Sequence, residues 1–462
     1  MTPAAPTLRA AIGRRTDRPI VRPTRAVELI AMTPRQPTGS RAARWFIRWI
    51  FLASLLLFTV VDSPLVDSLP GGSRTRLAVP VLLLAMLALA RGDFRREKTL
   101  INWLIAFVLA GAASSIACAV PILGFIKLGM YVGILFPLLL CTRLHDEFDA
   151  NSRGLALLTL GVGALALINA AFMPFTSSGI YGNPNTVGAF GVCVWPLLMF
   201  QTRSTSALRS RAAWCGIALC LALAVVAHSR GGVGAMLIGL SVYAMIYKRP
   251  SFGRAVVGVI VMTCLLIAST RLIGEVQDFA HKGRDAYMDK GRVFMFTETI
   301  AAWREAPMLG YGFGLSWTLN PQDAEAVLQA GRMSWFTVEF GNSTLAILSG
   351  GGLLLLAAFI GILATLAIRL ARALALPKSI VYTERRELLV VLLAGIAGLL
   401  VHSQAEAWMM APLTWETVIF WFYVGLSLRL CHTMVRERIV TAPPRPTARS
   451  FGRKLPAIAT AS

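Results

Sequence analysis

The strongest constraint on this chain is a series of about twelve apolar runs, most of them long enough to cross a bilayer as helices. A hydrocarbon core offers no water to backbone N–H and C=O groups, so such runs fold as α-helices, which satisfy their own hydrogen bonds. With 56% hydrophobic and 15% charged residues, the chain has too little polar surface to enclose a water-soluble core of its size. The sequence therefore predicts an all-α polytopic membrane protein with about twelve transmembrane helices.

Long apolar runs alternate with polar segments along almost the whole chain. The predicted spans are 46–62, 76–90, 99–119, 121–141, 154–173, 187–201, 212–228, 232–247, 254–273, 345–369, 387–404 and 412–431. One long polar stretch interrupts the series between the ninth and tenth helices. Phe294, Phe296, Ile300 and Trp303 recur there at helical spacing. We therefore expect one large external loop that contains a short amphipathic helix.

Lysine and arginine indicate the orientation, because the cytoplasmic loops of membrane proteins retain positive charge. Four loops are basic, at 91–98, 203–211, 248–254 and 369–386. The intervening loops 119–121, 174–186 and 405–411 contain neither lysine nor arginine. Twelve crossings that start inside place the basic loops and both termini in the cytoplasm. The same alternation places the large polar loop outside.

The predicted organisation has five parts. They are a disordered basic cytoplasmic tail (1–44), helices 1–9 (45–273), the external loop (274–344), helices 10–12 (345–431) and a second basic cytoplasmic tail (432–462). Splitting 336–369 into two crossings around Ser349-Gly350-Gly351-Gly352 would send the basic loop 369–386 outside, so one long helix with an outer extension is preferred. Translation from Met1 and translation from Met32 both remain open.

The charge and the cysteines exclude other classes of protein. The formal net charge is +22, but the basic residues lie in tails and short loops, where they orient the spans rather than bind nucleic acid. All seven cysteines fall in or beside apolar runs and none forms a CxxC pair. This pattern supports neither a disulfide framework nor a metal site. His402 and Glu406 are four apart and can share a metal ion, yet no third ligand accompanies them, so no metal and no cofactor is predicted.

The first candidate site residue is Arg230, in the turn Ser229-Arg230-Gly231-Gly232 between two predicted spans. A charge at a membrane-embedded helix end costs free energy unless an anion, carbonyls or water offset it, so it indicates function. A guanidinium binds two phosphate oxygens at once and stays charged. The two glycines leave room beside it for a bulky head group. The alternative is an interfacial arginine that reaches lipid phosphates.

Other ionisable and polar residues cluster near the predicted external surface. Arg292 lies in the large loop, and Lys127 lies about two turns from the external end of the fourth span. Asn185 opens the sixth span, either as a helix cap or as a binder of a sugar hydroxyl. His402 and Glu406 share one helix face. The remaining candidates in the loop are Arg284, Glu339 and Asn342.

The order of these motifs resembles the O-antigen ligase and Wzy-type polysaccharide polymerase superfamily over about residues 180–365. The motifs are Gly182-Asn183-Pro184-Asn185-Thr186, then Ser229-Arg230-Gly231-Gly232, then Gly291-Arg292 leading through Trp303 and Pro307 to Gly310-Tyr311-Gly312, then Asn342 and Leu345 before a glycine-rich span. The resemblance implies a metal-independent, inverting glycosyltransferase. Its substrates would be sugars carried on undecaprenyl diphosphate at the outer face of the bacterial inner membrane.

The resemblance also assigns roles to the candidate residues. Arg230, Arg292 and Lys127 would hold the diphosphate and stabilise the charge that develops as the glycosidic bond breaks. Asn185, Asn342 and Arg284 would bind the sugar or the acceptor. Expected partners are the lipid-linked glycan donor and acceptor, the bilayer, and a chain-length regulator or flippase, with no nucleic acid.

One departure from the family pattern concerns the general base. Ligases of this family carry a histidine directly before the asparagine, whereas this chain has Gly341 there. Glycine cannot accept a proton, so Glu339, Glu406 and His402 are the candidates for that role. The missing histidine favours a polymerase that joins lipid-linked repeat units into a surface or secreted polysaccharide. Transfer of a finished glycan by a ligase and transport of an anionic lipid or solute by a flippase are the alternatives.

Overall fold

The computed structural model describes residues 41–61, 83–84, 97–173, 180–181, 183–247, 287–315, 341–376, 383–412 and 414–441. The chain divides into a first unit, Met1–Arg41, and a second unit, Ala42–Ser462, and the account below concerns the second. Several predictions lie outside the described residues. They are the ninth span, almost all of the second span, nearly all of the first tail, most of the second tail, and the site residues Arg284 and Glu339.

The described residues fold into helices, and no strand is present among them. The helices are α1 (Arg41–Val61), α2 (Lys98–Ala117), α3 (Pro121–Leu140), α4 (Thr142–Glu147), α5 (Arg153–Phe172), α6 (Pro184–Gln201), α7 (Ala207–Val226), α8 (Arg230–Ile246), α9 (Tyr287–Glu305), α10 (Ser343–Leu374), α11 (Thr383–His402) and α12 (Trp415–Thr441), with a 3₁₀ turn at Trp408–Met410. Six helices in this part of the chain are long and apolar enough to span a membrane. The predicted all-α polytopic fold is confirmed.

Helices α6, α11 and α12 form the centre of the bundle. In the membrane-spanning part of α12, 78% of the residues are buried, against 28% in α7. Trp195 of α6 and Trp421 and Tyr423 of α12 are almost completely enclosed. The outer helices α5 and α7 instead expose apolar side chains such as Leu160 and Val226. An apolar side chain pays no penalty for facing lipid, so these helices carry the lipid-facing surface.

Ion pairs gather in the loops and helix ends that the sequence predicts to be cytoplasmic. The pairs are Arg48–Glu147, Arg203–Glu387, Arg369–Glu97, Arg385–Asp149 and Arg429–Asp146. Arg203 also stacks on the Tyr247 ring at 4.1 Å, and Tyr247 donates to Glu387. These contacts join separate segments of the chain at one end of the bundle.

Helix α10 is broken near the opposite end. Gly352 has φ 63° and ψ −166°, a conformation open essentially to glycine alone. The backbone groups freed by the break bond to the loop that follows α9. Leu353 N–H donates to Pro307 O at 2.9 Å, and Tyr311 N–H donates to Ser349 O at 2.7 Å. The run predicted as one long helix is therefore two helical segments with the α9–α10 loop inserted between them.

Candidate functional site

Three helix N-termini meet the segment that connects α11 to α12, residues 403–414. From α6, Asn185 Nδ2 donates to Glu406 Oε1 at 2.5 Å. From α10, Ser343 N–H donates to Ser403 O at 2.8 Å. From α8, Gly231 packs closely against Ala405: a Cβ atom added to Gly231 would lie only 3.1 Å from the Cβ of Ala405. The α11–α12 connector is thus the common neighbour of all three helix starts.

Converging helix N-termini favour a negatively charged ligand. Each N-terminus carries a partial positive charge and backbone N–H groups without a partner in the helix. Asn183 caps α6 and Asn342 caps α10 through their side chains, whereas the Ser229 side chain does not cap α8. Arg230, the first residue of α8, is half-buried and adds a full positive charge at the same place. This end of the bundle is suited to binding phosphate oxygens.

The glycines after Arg230 serve helix packing. A Cβ at Gly232 would lie 2.5 Å from the Gly188 Cα on α6, and a Cβ at Gly188 would lie 1.9 Å from Ser229 Oγ. Gly231 faces His402 and Ala405 on the opposite side. The expectation that both glycines make room for a head group therefore does not hold for Gly232, because the space beside it is filled by α6.

Asn185 links α6 to the connector rather than capping its own helix. The N-cap is Asn183, whose side chain accepts a hydrogen bond from Asn185 N–H at 2.9 Å. The cap interpretation of Asn185 is therefore wrong. Its amide is available to Glu406 because it projects from the first turn of α6. The bond holds the half-buried Glu406 carboxylate in one orientation at the meeting point of the helices.

Asn342 stands at the start of α10 with protein partners on both ends of its amide. Its oxygen accepts from Leu345 N–H at 3.0 Å, and its nitrogen donates to Gln404 at 3.1 Å (backbone) and 3.2 Å (side chain). Ser343 Oγ donates to Glu406 O at 2.7 Å. Asn342 therefore caps α10 and holds the connector in place. Ser343 and Gln404 belong to the same site, and the sequence analysis did not identify them.

His402 is buried at the end of α11, with 1% of its surface exposed. Trp408 Nε1–H donates to His402 Nδ1 at 3.0 Å across the first turn of the connector. Within the part of the chain that the structure describes, His402 Nε2 has no hydrogen-bond partner. Trp408 was not among the sequence candidates. The spacing could have indicated it, because a tryptophan six residues after a histidine, across a turn, can reach the imidazole ring.

Arg292 belongs to α9, which is fastened to α10. Tyr311, in the loop after α9, donates its hydroxyl to Ala302 O at 3.1 Å and to Glu305 at 2.9 Å. Phe296 of α9 faces Gly341, with a Cβ there 3.4 Å from the ring. Position 292 lies in α9, about one turn before Phe296.

Lys127 is buried in α3 and donates to Gly314 O at 2.6 Å. A Cβ at Gly314 would also lie 3.3 Å from Met410 O, and Tyr131, one turn further along α3, donates to Met409 O at 2.8 Å. Lys127 therefore stands where the α9–α10 loop meets the connector. The contacts that place Lys127 join protein segments to each other, whereas Asn185 and Asn342 contact residues 404–406.

The described site residues do not form a metal centre. Within this part of the chain, no group of three or more histidine, cysteine, aspartate or glutamate side chains is close enough to bind one ion.

In the loop after α9, burial and the bond to Glu305 raise the pKa of Tyr311, so its hydroxyl stays protonated and continues to donate. The chemistry that this geometry supports is anion binding by Arg230 and helix ends beside an oriented carboxylate.

Comparison with known families agrees with the order of motifs. No curated protein matches the chain. Residues 215–360 match the family model described as O-antigen ligase. The matched segment contains Arg230, Arg292 and Asn342, whereas Lys127, Asn185, His402 and Glu406 lie outside it. Over this segment the chain is similar to the O-antigen ligase family, which supports the resemblance to the O-antigen ligase and Wzy-type polymerase superfamily.

Proposed function

We propose that the protein is a membrane glycosyltransferase that joins undecaprenyl-diphosphate-linked oligosaccharide repeat units into a surface or secreted polysaccharide. The reaction takes place at the external face of the bacterial inner membrane, with both termini cytoplasmic. The observation that carries the proposal is the convergence of three helix N-termini and Arg230 beside the Asn185–Glu406 pair. That arrangement supplies an anion site next to a carboxylate, and the family match supports the glycosyl-transfer chemistry.

The diphosphate is the leaving group in this mechanism. Arg230 binds its oxygens and Arg292 contributes a second guanidinium from α9, so that charge is stabilised as the bond from the anomeric carbon to oxygen breaks. The electron pair of that bond goes to the diphosphate. An acceptor hydroxyl attacks the anomeric carbon from the opposite face, which inverts its configuration.

Glu406 is the candidate general base. Asn185 orients its carboxylate at 2.5 Å, and the carboxylate takes the proton that the acceptor hydroxyl loses on attack. Asn185 thereby acts through Glu406 as a positioning residue. Glu339, the other acidic candidate, lies outside the described residues.

Gly341 supports a polymerase over a ligase. Its φ of 61° lies in the left-handed region that glycine adopts freely, and the ring of Phe296 is its neighbour. No side chain at this position can serve as the base found in ligases. The ligase remains the second candidate, because the matching family model carries the description O-antigen ligase.

Deletion and complementation distinguish the two functions by their products. Loss of a polymerase leaves single repeat units on the carrier lipid, whereas loss of a ligase leaves long chains on it. We expect the deletion strain to accumulate single units and Arg230→Gln to fail to restore polymer length. Arg209→Gln, which removes an exposed arginine at the start of α7, is the matched control and restores full length. Normal polymer from Arg230→Gln at normal protein abundance would overturn the mechanism.

A further inference from the structure

The hydrogen bond from Trp408 determines which nitrogen of His402 carries its proton. An indole N–H donates and never accepts, so Nδ1 of His402 must be the accepting nitrogen of the pair. A neutral imidazole has one N–H, and that N–H is therefore on Nε2. His402 in its neutral form thus presents a hydrogen-bond donor at Nε2 and has no remaining nitrogen with which to accept a proton.

The donor at His402 Nε2 has no acceptor among the residues that the structure describes. His402 is 1% exposed, and Nε2 makes no hydrogen bond within that part of the chain. Buried donors in folded proteins are almost always paired, and leaving one unpaired is unfavourable. A donor kept in this state indicates an acceptor that belongs to a ligand.

The unpaired edge of the imidazole faces the first turn of α8. A Cβ at Gly231 would lie 3.8 Å from His402 Cδ2 and 4.0 Å from Nε2, so this edge and the helix start are direct neighbours. Ser229, the N-cap of α8, makes no side-chain capping bond, and its buried hydroxyl also has no partner among the described residues. An uncapped helix N-terminus and two buried polar groups without a described partner therefore flank Arg230.

We propose that His402 Nε2–H and the N-terminus of α8 form a subsite for a phosphoryl oxygen of the lipid-linked diphosphate. The inference rests on the proposed function and assigns His402 a donor role in place of the proton-accepting role expected from sequence. Trp408 is a positioning residue that acts through the ring of His402. As the bond from the anomeric carbon to oxygen breaks, its electron pair passes to the diphosphate, and the Nε2–H bond to that group strengthens. The acceptor's proton goes to Glu406.

Binding of undecaprenyl diphosphate to the purified full-length protein tests the subsite. His402→Leu removes the donor, and we expect its Kd to rise about tenfold. His402→Gln retains an N–H donor but lacks the ring, and we expect it to recover most of the affinity. Equal losses in the Leu and Gln variants, with unchanged melting temperatures, would overturn the proposal.

Spectroscopy of the unmutated protein tests the tautomer directly, and His402→Gln serves only to assign the signal. With ¹⁵N-labelled histidine, we expect the His402 signal to show a protonated Nε2 and an unprotonated Nδ1 at neutral pH. Addition of undecaprenyl diphosphate should shift the Nε2 resonance. A protonated Nδ1, or an Nε2 resonance that does not respond to saturating ligand, would contradict the proposal.

Turnover measurements separate this subsite from the general mechanism. If His402 is a donor, His402→Leu raises KM and keeps the pH dependence of kcat, whereas loss of a general base would abolish kcat. Trp408→Phe frees Nδ1 and should raise KM, with the pH dependence of kcat retained. Weak binding by Arg230→Gln together with normal binding by His402→Leu would refute the subsite and leave the proposed function standing. Normal binding by both variants would refute both.

Discussion

Asn185 and Glu406, 221 positions apart in the chain, are joined by a 2.5 Å hydrogen bond between side chains. One residue belongs to the first turn of α6 and the other to the α11–α12 connector. The bond attaches the connector to the start of α6, which lies outside the segment that matches the family model. Ser343 and Gly231 lie at the starts of α10 and α8, inside that segment, and they also contact the connector. The candidate site is therefore assembled from both parts of the chain.

Replacement of Glu406 by Gln tests the general base. The amide keeps the size of the side chain but cannot take the acceptor's proton, so we expect turnover to fall by about 10²–10⁴-fold. Polymer length on gels and turnover by the purified enzyme are the measurements. Glu384→Gln, which alters an exposed carboxylate at the start of α11, is the control and should leave both unchanged.

Substitutions at Asn185 test the orientation of Glu406. Asn185→Ala removes the donor and should lower kcat about tenfold, because the carboxylate loses one fixed partner. Asn185→Asp places a second carboxylate against Glu406 and should be more damaging, because like charges repel. Adding Glu406→Gln to Asn185→Asp relieves that repulsion and should restore the melting temperature but not the activity. A double variant less stable than Asn185→Asp would contradict the pairing.

The break in α10 depends on glycine. A Cβ at Gly352 would lie 2.2 Å from the backbone of Met308, and its φ of 63° with ψ −166° excludes other residues. Gly352→Ala should therefore destabilise the protein by more than about 3 kcal/mol. Gly163→Ala, in the middle of α5 with nothing within 4 Å of the new Cβ, should be neutral or stabilise by up to about 1 kcal/mol. Thermal unfolding in detergent measures both changes.

The two glycines after Arg230 should differ in their response to substitution. Gly232→Ala brings a Cβ to 2.5 Å from the Gly188 Cα, so the contact between α6 and α8 must open and folded protein should be lost. Gly231→Ala meets Ala405 at 3.1 Å and the His402 ring at 3.8 Å, which small shifts can accommodate. We expect this variant to fold and to show a raised KM. Fluorescence size-exclusion profiles and kinetics report the two effects, and a folded, fully active Gly232→Ala would contradict the packing.

Lys127→Met distinguishes a tether from a diphosphate ligand. Methionine keeps most of the length but leaves Gly314 O without its 2.6 Å donor, so we expect a loss of about 1–3 kcal/mol in stability. Binding of undecaprenyl diphosphate should remain close to that of the unmutated protein. A loss of binding as large as that of Arg230→Gln would instead support the sequence-based role of Lys127.

Much of the secondary structure is predictable from the apolar pattern. The prediction of spans at 99–119 and 121–141 agrees with α2 and α3 to within two residues at each end. Apolar runs bounded by polar residues leave little choice in a bilayer, because each must satisfy its backbone by itself. A helix, α9, also lies where the sequence predicts one in the polar stretch, although Phe294 of its expected apolar face is exposed.

The break in α10 and the contacts of the candidate site were not predictable in the same way. The glycines in Ser349-Gly350-Gly351-Gly352 permit a break in the helix. The backbone groups that form hydrogen bonds at the break belong to Pro307 and Tyr311, which lie in a different segment of the chain. Gly231 and Gly232 look equivalent in the sequence and face different helices in the fold. The orientation of His402 depends on Trp408, beyond the end of its helix.

The sequence alone determined that this chain is an all-α membrane protein, where most described helices run, and which family it resembles. Those properties follow from local hydrophobicity, helical hydrogen bonding and short motifs. Only the tertiary structure decided that three helix starts meet at residues 403–406, that Glu406 is oriented by Asn185, and that His402 presents Nε2. The reason is physical: partners such as Asn185 and Glu406 are far apart in the chain, and hydrogen bonds between them exist only once the helices have packed.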